Sequence, residues 1–268
     1  MQVFSKSRLY VVFGKHILKK VPCKAIRPLS SDVREESVIN YWKRNFRLFR
    51  GEIYDKLRGS KLDTMYDTHK VIMSCDTNIV NKFNIQTDNA IGGKSWAKLC
   101  MSRNNRLLFH GELSTVVPKD GETERSGYCA LKSKQLYGAF EKKIQIDLSP
   151  FNVLKFRIRG DGRSYMVNFY ADSYYSDTQD DIWSYFLFTR GGPHWQEATV
   201  PFSKFFLSSR GRIQDRQELV DLENINCFGL TMADAVDGEF ALEIDIIAAT
   251  YDPTHTEEFA YEMYNAKY

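Results

Sequence analysis

No stretch of this chain approaches ~18 uninterrupted apolar residues, so no membrane-crossing helix is expected. Cysteine is scarce. Cys23, Cys75, Cys100, Cys129 and Cys227 are odd in number, widely spaced and form no C-x-x-C. That argues against a disulfide framework or a zinc site and leaves reduced, mostly buried thiols as the expectation. No N-x-[ST] sequon occurs, a mild point against the secretory route. There is no G-x-S-x-G elbow and no H-E-x-x-H, so the common hydrolase and zinc-protease devices are missing. With 43% hydrophobic and 26% charged residues, the composition excludes a disordered or collagen-like chain.

The most informative absence is local. Residues 1–31 contain no Asp or Glu, yet hold Lys6, Arg8, Lys15, Lys19, Lys20, Lys24 and Arg27. The formal charge of +3 therefore resolves into a basic leader and a remainder with 30 basic against 34 acidic side chains. A basic, Ser-containing, acid-free leader has the composition of a mitochondrial transit peptide. Leu9, Val12, Phe13, Ile17 and Leu18 recur at roughly helical spacing, with Arg8, Lys15 and Lys19 on the other face. The alternative is a disordered basic arm for nucleic acid or a membrane surface. The apolar run Leu9–Phe13 is too short for a secretory signal.

Residues 32–58 read as a helix. Asp32 and Glu35 form a capping-box-like start, and Gly59 is a suitable stop. Val38, Trp42, Phe46, Phe49, Ile53 and Leu57 recur at spacings of three and four, giving one apolar stripe. Lys43, Arg44, Arg47 and Arg50 lie largely off it. Packing of that stripe on its own domain is expected, with a docking helix for a partner as the sharper alternative.

From about Phe83 the period changes to two. Strands are expected at 95–102, 106–113, 127–132, 153–159, 165–171, 182–189, 196–200, 227–232 and 239–250. Gly160-Asp161-Gly162 reads as a hairpin turn, and 207–224 as a long polar connection. Strands in this number without intervening helices predict an all-β sandwich. The chain divides into a leader (1–31), a helical arm (32–80), a sandwich (81–252) and a tail (253–268). Residues 256–264 of the tail read as a short terminal helix.

The segment Asp88 to Ser95 nearly spells a phosphate-binding loop. Asp88 stands in place of its first glycine, and a strand follows rather than a helix, so nucleotide hydrolysis is rejected. Arg159-Gly160-Asp161 resembles an integrin tripeptide but sits where a hairpin needs Gly and Asp. Asp172, Asp177, Asp180 and Asp181 crowd one loop without EF-hand spacing, and read as a solvated acidic loop rather than a calcium site. An enzyme built on Asp172, Asp181 and His194 is the least favoured reading. Aromatics cluster between 165 and 206. Trp183–Phe188 is apolar on both faces, consistent with a fully buried strand or with a surface patch that stacks on a sugar or a protein. Trp183, Trp195, His194, Tyr174 and Tyr175 are the candidate partner-binding residues.

Several segments then resemble one family. Phe83–Ser95 is similar to the "SD…IGG-S" opening of the complex I intermediate-associated protein 30 family, with Thr87 in place of the usual Ser. Phe109-His110-Gly111-Glu112-Leu113, Ser126-Gly127-Tyr128 and the strand-turn Leu154–Arg163 resemble its next elements in order. Trp195-Gln196 with Val200-Pro201-Phe202, then Asn226–Leu230 and Phe240–Ile247, complete the series. The resemblance implies a jelly-roll sandwich of the galactose-binding-like type. It implies a non-enzymatic chaperone in the mitochondrial matrix, associated with the inner membrane and holding membrane-arm intermediates of respiratory complex I. Implied co-partners are an acyl-CoA dehydrogenase-like factor, a Toll-pathway signalling intermediate homologue and membrane assembly proteins. It brings no catalytic residue, no cofactor and no nucleic-acid partner. A carbohydrate-binding module of the same fold is the competing reading.

Overall fold

Alternation of large apolar with small or acidic side chains dictates a strand with one face in a core and one in water. Phe240–Ile244 obeys this rule inside the longest strand among the described residues, Gly238–Thr250 (β17), and a register shift after Ile244 then turns Ile247 rather than Ile246 into the core. The computed structural model describes residues 12–13, 16–17, 38–57, 69–74, 79–119, 123, 125–171, 181–209 and 211–261. Two antiparallel sheets face each other across one core.

Chain order begins with two paired dipeptides, Val12–Phe13 (β1) and His16–Ile17 (β2). They occupy part of the leader expected to be helical. The rest of the leader, the Asp32/Glu35 cap and the Gly59 stop lie outside the described residues. The helix Val38–Leu57 (α1) falls where its stripe predicted it. Next come His69–Ser74 (β3), Phe83–Thr87 (β4), Trp96–Met101 (β5), Leu107–Leu113 (β6) and Cys129–Ser133 (β7). A small hairpin, Leu136–Tyr137 (β8) and Lys143–Ile144 (β9), precedes Val153–Arg159 (β10). Ser164–Ala171 (β11), Asp181–Phe188 (β12), Gln196–Pro201 (β13), Phe206–Ser209 (β14), Arg212–Ile213 (β15) and Ile225–Met232 (β16) lead to β17.

The first sheet runs β13-β10-β17-β6-β5, with β3 on β17 beyond β6. The second runs β15-β14-β12-β11-β16-β7-β4. The chain crosses between the sheets repeatedly, which is the layout of a jelly-roll sandwich. Phe109, Phe156 and Phe240 from the first sheet meet Tyr165, Phe169 and Phe228 from the second in the core, and all six are nearly inaccessible. Each such burial contributes roughly 1.5–3 kcal/mol.

All nine expected strands are present, with ends shifted by at most two residues. β3, β4, β8, β9, β14 and β15 are strands beyond those expected, besides β1 and β2. The sheet starts at His69, ahead of the expected boundary at 81. The stretch read as a polar connection from 207 contains most of β14 and all of β15, because Leu207 turns into the core opposite Trp183. The described part of the tail is not helical. It is held as an extended strap: the Ala260 N–H donates to the Ser203 carbonyl, and the Tyr261 hydroxyl donates to that of Lys204. Cys100 takes part in a disulfide, against the expectation of reduced thiols, while Cys129 and Cys227 are buried and in no disulfide.

One histidine couples this scaffold to pH. His110 on β6 is buried edge-on to Trp96, and burial, then the charge of Lys98, lowers its pKa from the ordinary 6.5. The folded state therefore binds this proton less readily than the unfolded chain. Its contribution is complete above the unfolded value and is lost as pH falls through and below it. Urea unfolding at about pH 7.5 and about pH 5.5 should show wild-type losing more stability on acidification than His110→Gln. Equal losses would remove His110 as the cause.

Candidate functional site

The motifs that carried the family resemblance build scaffold joints. Asp88 opens a short 3-10 turn and is fully buried. One carboxylate oxygen accepts the Ser95 N–H at 2.9 Å. The other accepts the Ser95 hydroxyl at 2.8 Å and the Gly127 N–H at 2.9 Å. A Cβ at Gly93 would lie 2.2 Å from the Asp88 carboxyl carbon, so only glycine admits this approach. The same joint explains Cys129: burial, then the Asp88 charge, pushes its thiol up to about 12, which makes it unreactive.

The Arg159–Arg163 turn is a second joint. Asp161 accepts hydrogen bonds from the Arg163 N–H at 3.0 Å, the Tyr165 hydroxyl at 3.0 Å and the Ala241 N–H at 2.8 Å. Its carboxylate is thus committed internally and is not displayed like that of an integrin ligand. Arg163 donates to Asp234 at 2.8 and 2.5 Å and to the carbonyls of Val236, Gly238 and Glu239. Burial alone would raise the Asp234 pKa, but hydrogen bonds from Arg163 and the Val236 N–H outweigh it and hold the carboxyl below its ordinary value.

Of the candidate partner-binding residues that are described, Trp183 is not brought together with His194 and Trp195. Trp183 is only 4% exposed; its ring packs in the core and its Nε1–H donates to the Glu218 carbonyl. Its expected role on the surface is therefore corrected: β12 points this side chain inward. Trp195 sits on the other sheet, half-buried, with the Arg159 and Arg157 guanidiniums 5.4 and 5.9 Å from its ring. Arg159 pairs with Glu243, and Arg157 with Asp245. His194 is exposed beside Trp195. Tyr174, Tyr175, Asp172, Asp177 and Asp180 lie outside the described residues. Asp181 and His194 flank strands of opposite sheets, β12 and β13. Among the described residues, no group of three or more His, Cys, Asp or Glu could hold a metal ion.

The outer face of β12 is the more open surface. Trp183, Tyr185 and Leu187 point inward, so Ser184, Phe186 and Phe188 point out. Phe188 is 68% exposed, and Phe186 stacks on Phe206 at 5.3 Å. Beside them runs a row of side chains across neighbouring strands. Ser184 donates to Asn168 at 2.9 Å, and Asn168 donates to Thr231 at 2.8 Å. Further along, Tyr170 lies over Gly229 with the Lys132 ammonium 3.7 Å from its ring. The strand read as apolar on both faces is thus buried on one face and displays two phenylalanines on the other.

The largest departure from expectation is α1. Two polar residues face the domain. Asn45, nearly inaccessible, accepts the Phe140 N–H at 2.7 Å, and Glu52 accepts the Ala139 N–H at 2.8 Å. A Cβ at Gly138 would meet the Glu52 carboxylate at 2.4 Å. Phe140 adopts a left-handed φ of 54° and inserts its ring between Trp42 and Phe49. The apolar stripe itself points away: Trp42 is 55% exposed and Phe46 64%. Sequence reasoning found the stripe but missed Asn45, Glu52 and Phe140. A buried Asn between aromatics was the available signal, since its polarity needs a partner.

The family model for complex I intermediate-associated protein 30 matches residues 75–244. A mouse protein named complex I intermediate-associated protein 30, mitochondrial, is 43% identical over 236 residues, covering 86% of this chain and 70% of its own. The Drosophila melanogaster protein of that name is 40% identical over 227 residues, covering 83% and 77%. A solved family 11 carbohydrate-binding module from Clostridium thermocellum aligns with a TM-score of 0.47 and 18% identity, over 68% of this chain and 95% of the module.

Proposed function

The chain belongs to the complex I intermediate-associated protein 30 family, and on that premise we propose that it acts in the assembly of mitochondrial respiratory complex I. The observation that carries this reading is the 43% identity with the mouse relative across 86% of the chain. Its role is that of a non-enzymatic chaperone, which binds membrane-arm intermediates alongside the other assembly factors implied by the family. Its place is the mitochondrial matrix, at the inner membrane, reached through the basic leader of residues 1–31.

The physical support is the division of labour on the surface. The signature residues around Asp88 and Asp161 are consumed by internal joints, so partner contacts are to be sought among the residues those joints leave open. Phe186 and Phe188 supply an apolar patch on a rigid strand, the type of anchor that protein interfaces use. His194 and Trp195 form a second, more polar contact region on the opposite sheet.

The test is rescue of cells that lack the protein, read as assembled complex I on a native gel. The wild-type chain should restore it. Phe186→Asp with Phe188→Asp should cut assembled complex I at least about threefold, with the variant itself present at normal level. Normal complex I in the cells lacking the protein would overturn the assembly role. Full rescue by the double variant would remove the patch.

A further inference from the structure

We propose that α1 and the adjoining β8–β9 hairpin form a docking surface for an anionic lipid bilayer, with the helix lying flat in the headgroup region. The inference deepens the proposed inner-membrane association by making the contact direct, through lipid, rather than through a protein partner.

The surface is built from three observations. First, the helix is attached by its polar residues, Asn45 and Glu52, with Trp42 and Phe49 edging Phe140, and this leaves Phe46, Ile53 and Leu57 of the stripe, together with the neighbouring Ile39, facing solvent. Second, the charge is one-sided. From Val38 to Gly51 there are four cations, Lys43, Arg44, Arg47 and Arg50, and no acid. At 3.6 residues per turn, Arg50, Lys43 and Arg47 follow the stripe along one flank, and the docked residues Asn45 and Glu52 close the other. Glu52 is turned to the Ala139 N–H. Third, the hairpin continues the same surface. Leu136, Tyr137, Phe140 and Ile144 are exposed there together with Lys142 and Lys143, and Glu141 is its single acid. The two pieces are joined by the stacking of Phe140 against Trp42 and Phe49.

An apolar arc rich in aromatics beside a cationic arc is the geometry of an interfacial helix. An uncharged protein groove would need only the apolar arc. The cations select a surface of negative charge, each contributing on the order of 1 kcal/mol near anionic headgroups. Among the described residues no helix is long and apolar enough to cross a membrane, which fits a helix that lies on the bilayer.

The experiment is vesicle co-sedimentation of the full chain, using phosphatidylcholine alone and phosphatidylcholine with about 30% phosphatidylglycerol. Wild-type protein should bind the anionic vesicles at least about tenfold more strongly, and salt should weaken the binding. Ile39→Glu with Phe46→Glu, both well exposed and neither part of the Asn45 and Glu52 hydrogen bonds, should lower binding at least about tenfold, and so should Arg47→Glu with Arg50→Glu. An unchanged circular dichroism spectrum keeps folding out of the comparison. The leader carries seven cations and remains in every variant. Variants that bind like wild-type would assign the binding to the leader or the sandwich and overturn the proposal. Absence of wild-type binding to anionic vesicles would overturn it equally and point to a protein occupant. The outcome is separable from the assembly role: lipid binding that depends on α1 would stand even if cells lacking the protein kept normal complex I.

Discussion

Asp88→Ala should lower the stability of the sandwich by about 4 kcal/mol. The wild-type carboxylate accepts three hydrogen bonds, two of them from the Ser95 and Gly127 backbone N–H groups. Alanine removes the acceptor and leaves both N–H groups in a site with no exposure at Asp88. An unpaired buried donor costs roughly 1–3 kcal/mol, and the lost bond to the Ser95 hydroxyl adds to it. The Ser95 hydroxyl would keep its contact with the Ser114 carbonyl, which limits the loss. Asp88→Asn should lose less, since its amide oxygen can still accept one N–H while its NH₂ opposes the other. Urea unfolding reads the difference directly. A loss below about 1 kcal/mol for Asp88→Ala would mean that the joint relaxes around the gap and that Asp88 does not hold it together.

Arg163→Ala should cost about 3–5 kcal/mol, through a different mechanism. Arg163 bridges the turn after β10 to the turn before β17, and its side chain and that of Asp234 are 13% and 14% exposed. Removing the guanidinium strands a poorly solvated carboxylate and frees three carbonyls at once. The Asp234 pKa, held low in the wild type, should rise toward and above its ordinary value. The double variant Arg163→Ala with Asp234→Ala should recover part of the loss, because no unpaired charge then remains. Additive losses would show that the pair is not coupled.

These two joints show how far the sequence could be read. Asp88, Gly93, Ser95 and Arg163 stood out as parts of a recurring pattern, but the pattern does not state what each residue touches. Asp88 meets Gly127, 39 residues away, and Arg163 meets Asp234, 71 residues away. Such contacts depend on strands from different parts of the chain being laid side by side. The same limit misplaced Trp183. The run Trp183–Phe188 is apolar on both faces, so alternation could not tell which half would be inward; the pairing of β12 with β11 and β14 decided it.

By itself the sequence determined nine of the strands, the helix and the charge of the leader, because each rests on local periodicity or composition. Period two is a property of neighbouring side chains, and so is a stripe at spacings of three and four. Only the tertiary structure decided which apolar surface is covered. The stripe on α1 has the pattern of a helix packed on its own domain. Hydrogen bonds from the 139–140 backbone to Asn45 and Glu52 turn the helix so that the stripe meets solvent instead. An amphipathic pattern specifies that an apolar face exists, whereas its partner is set by long-range contacts that local spacing does not encode.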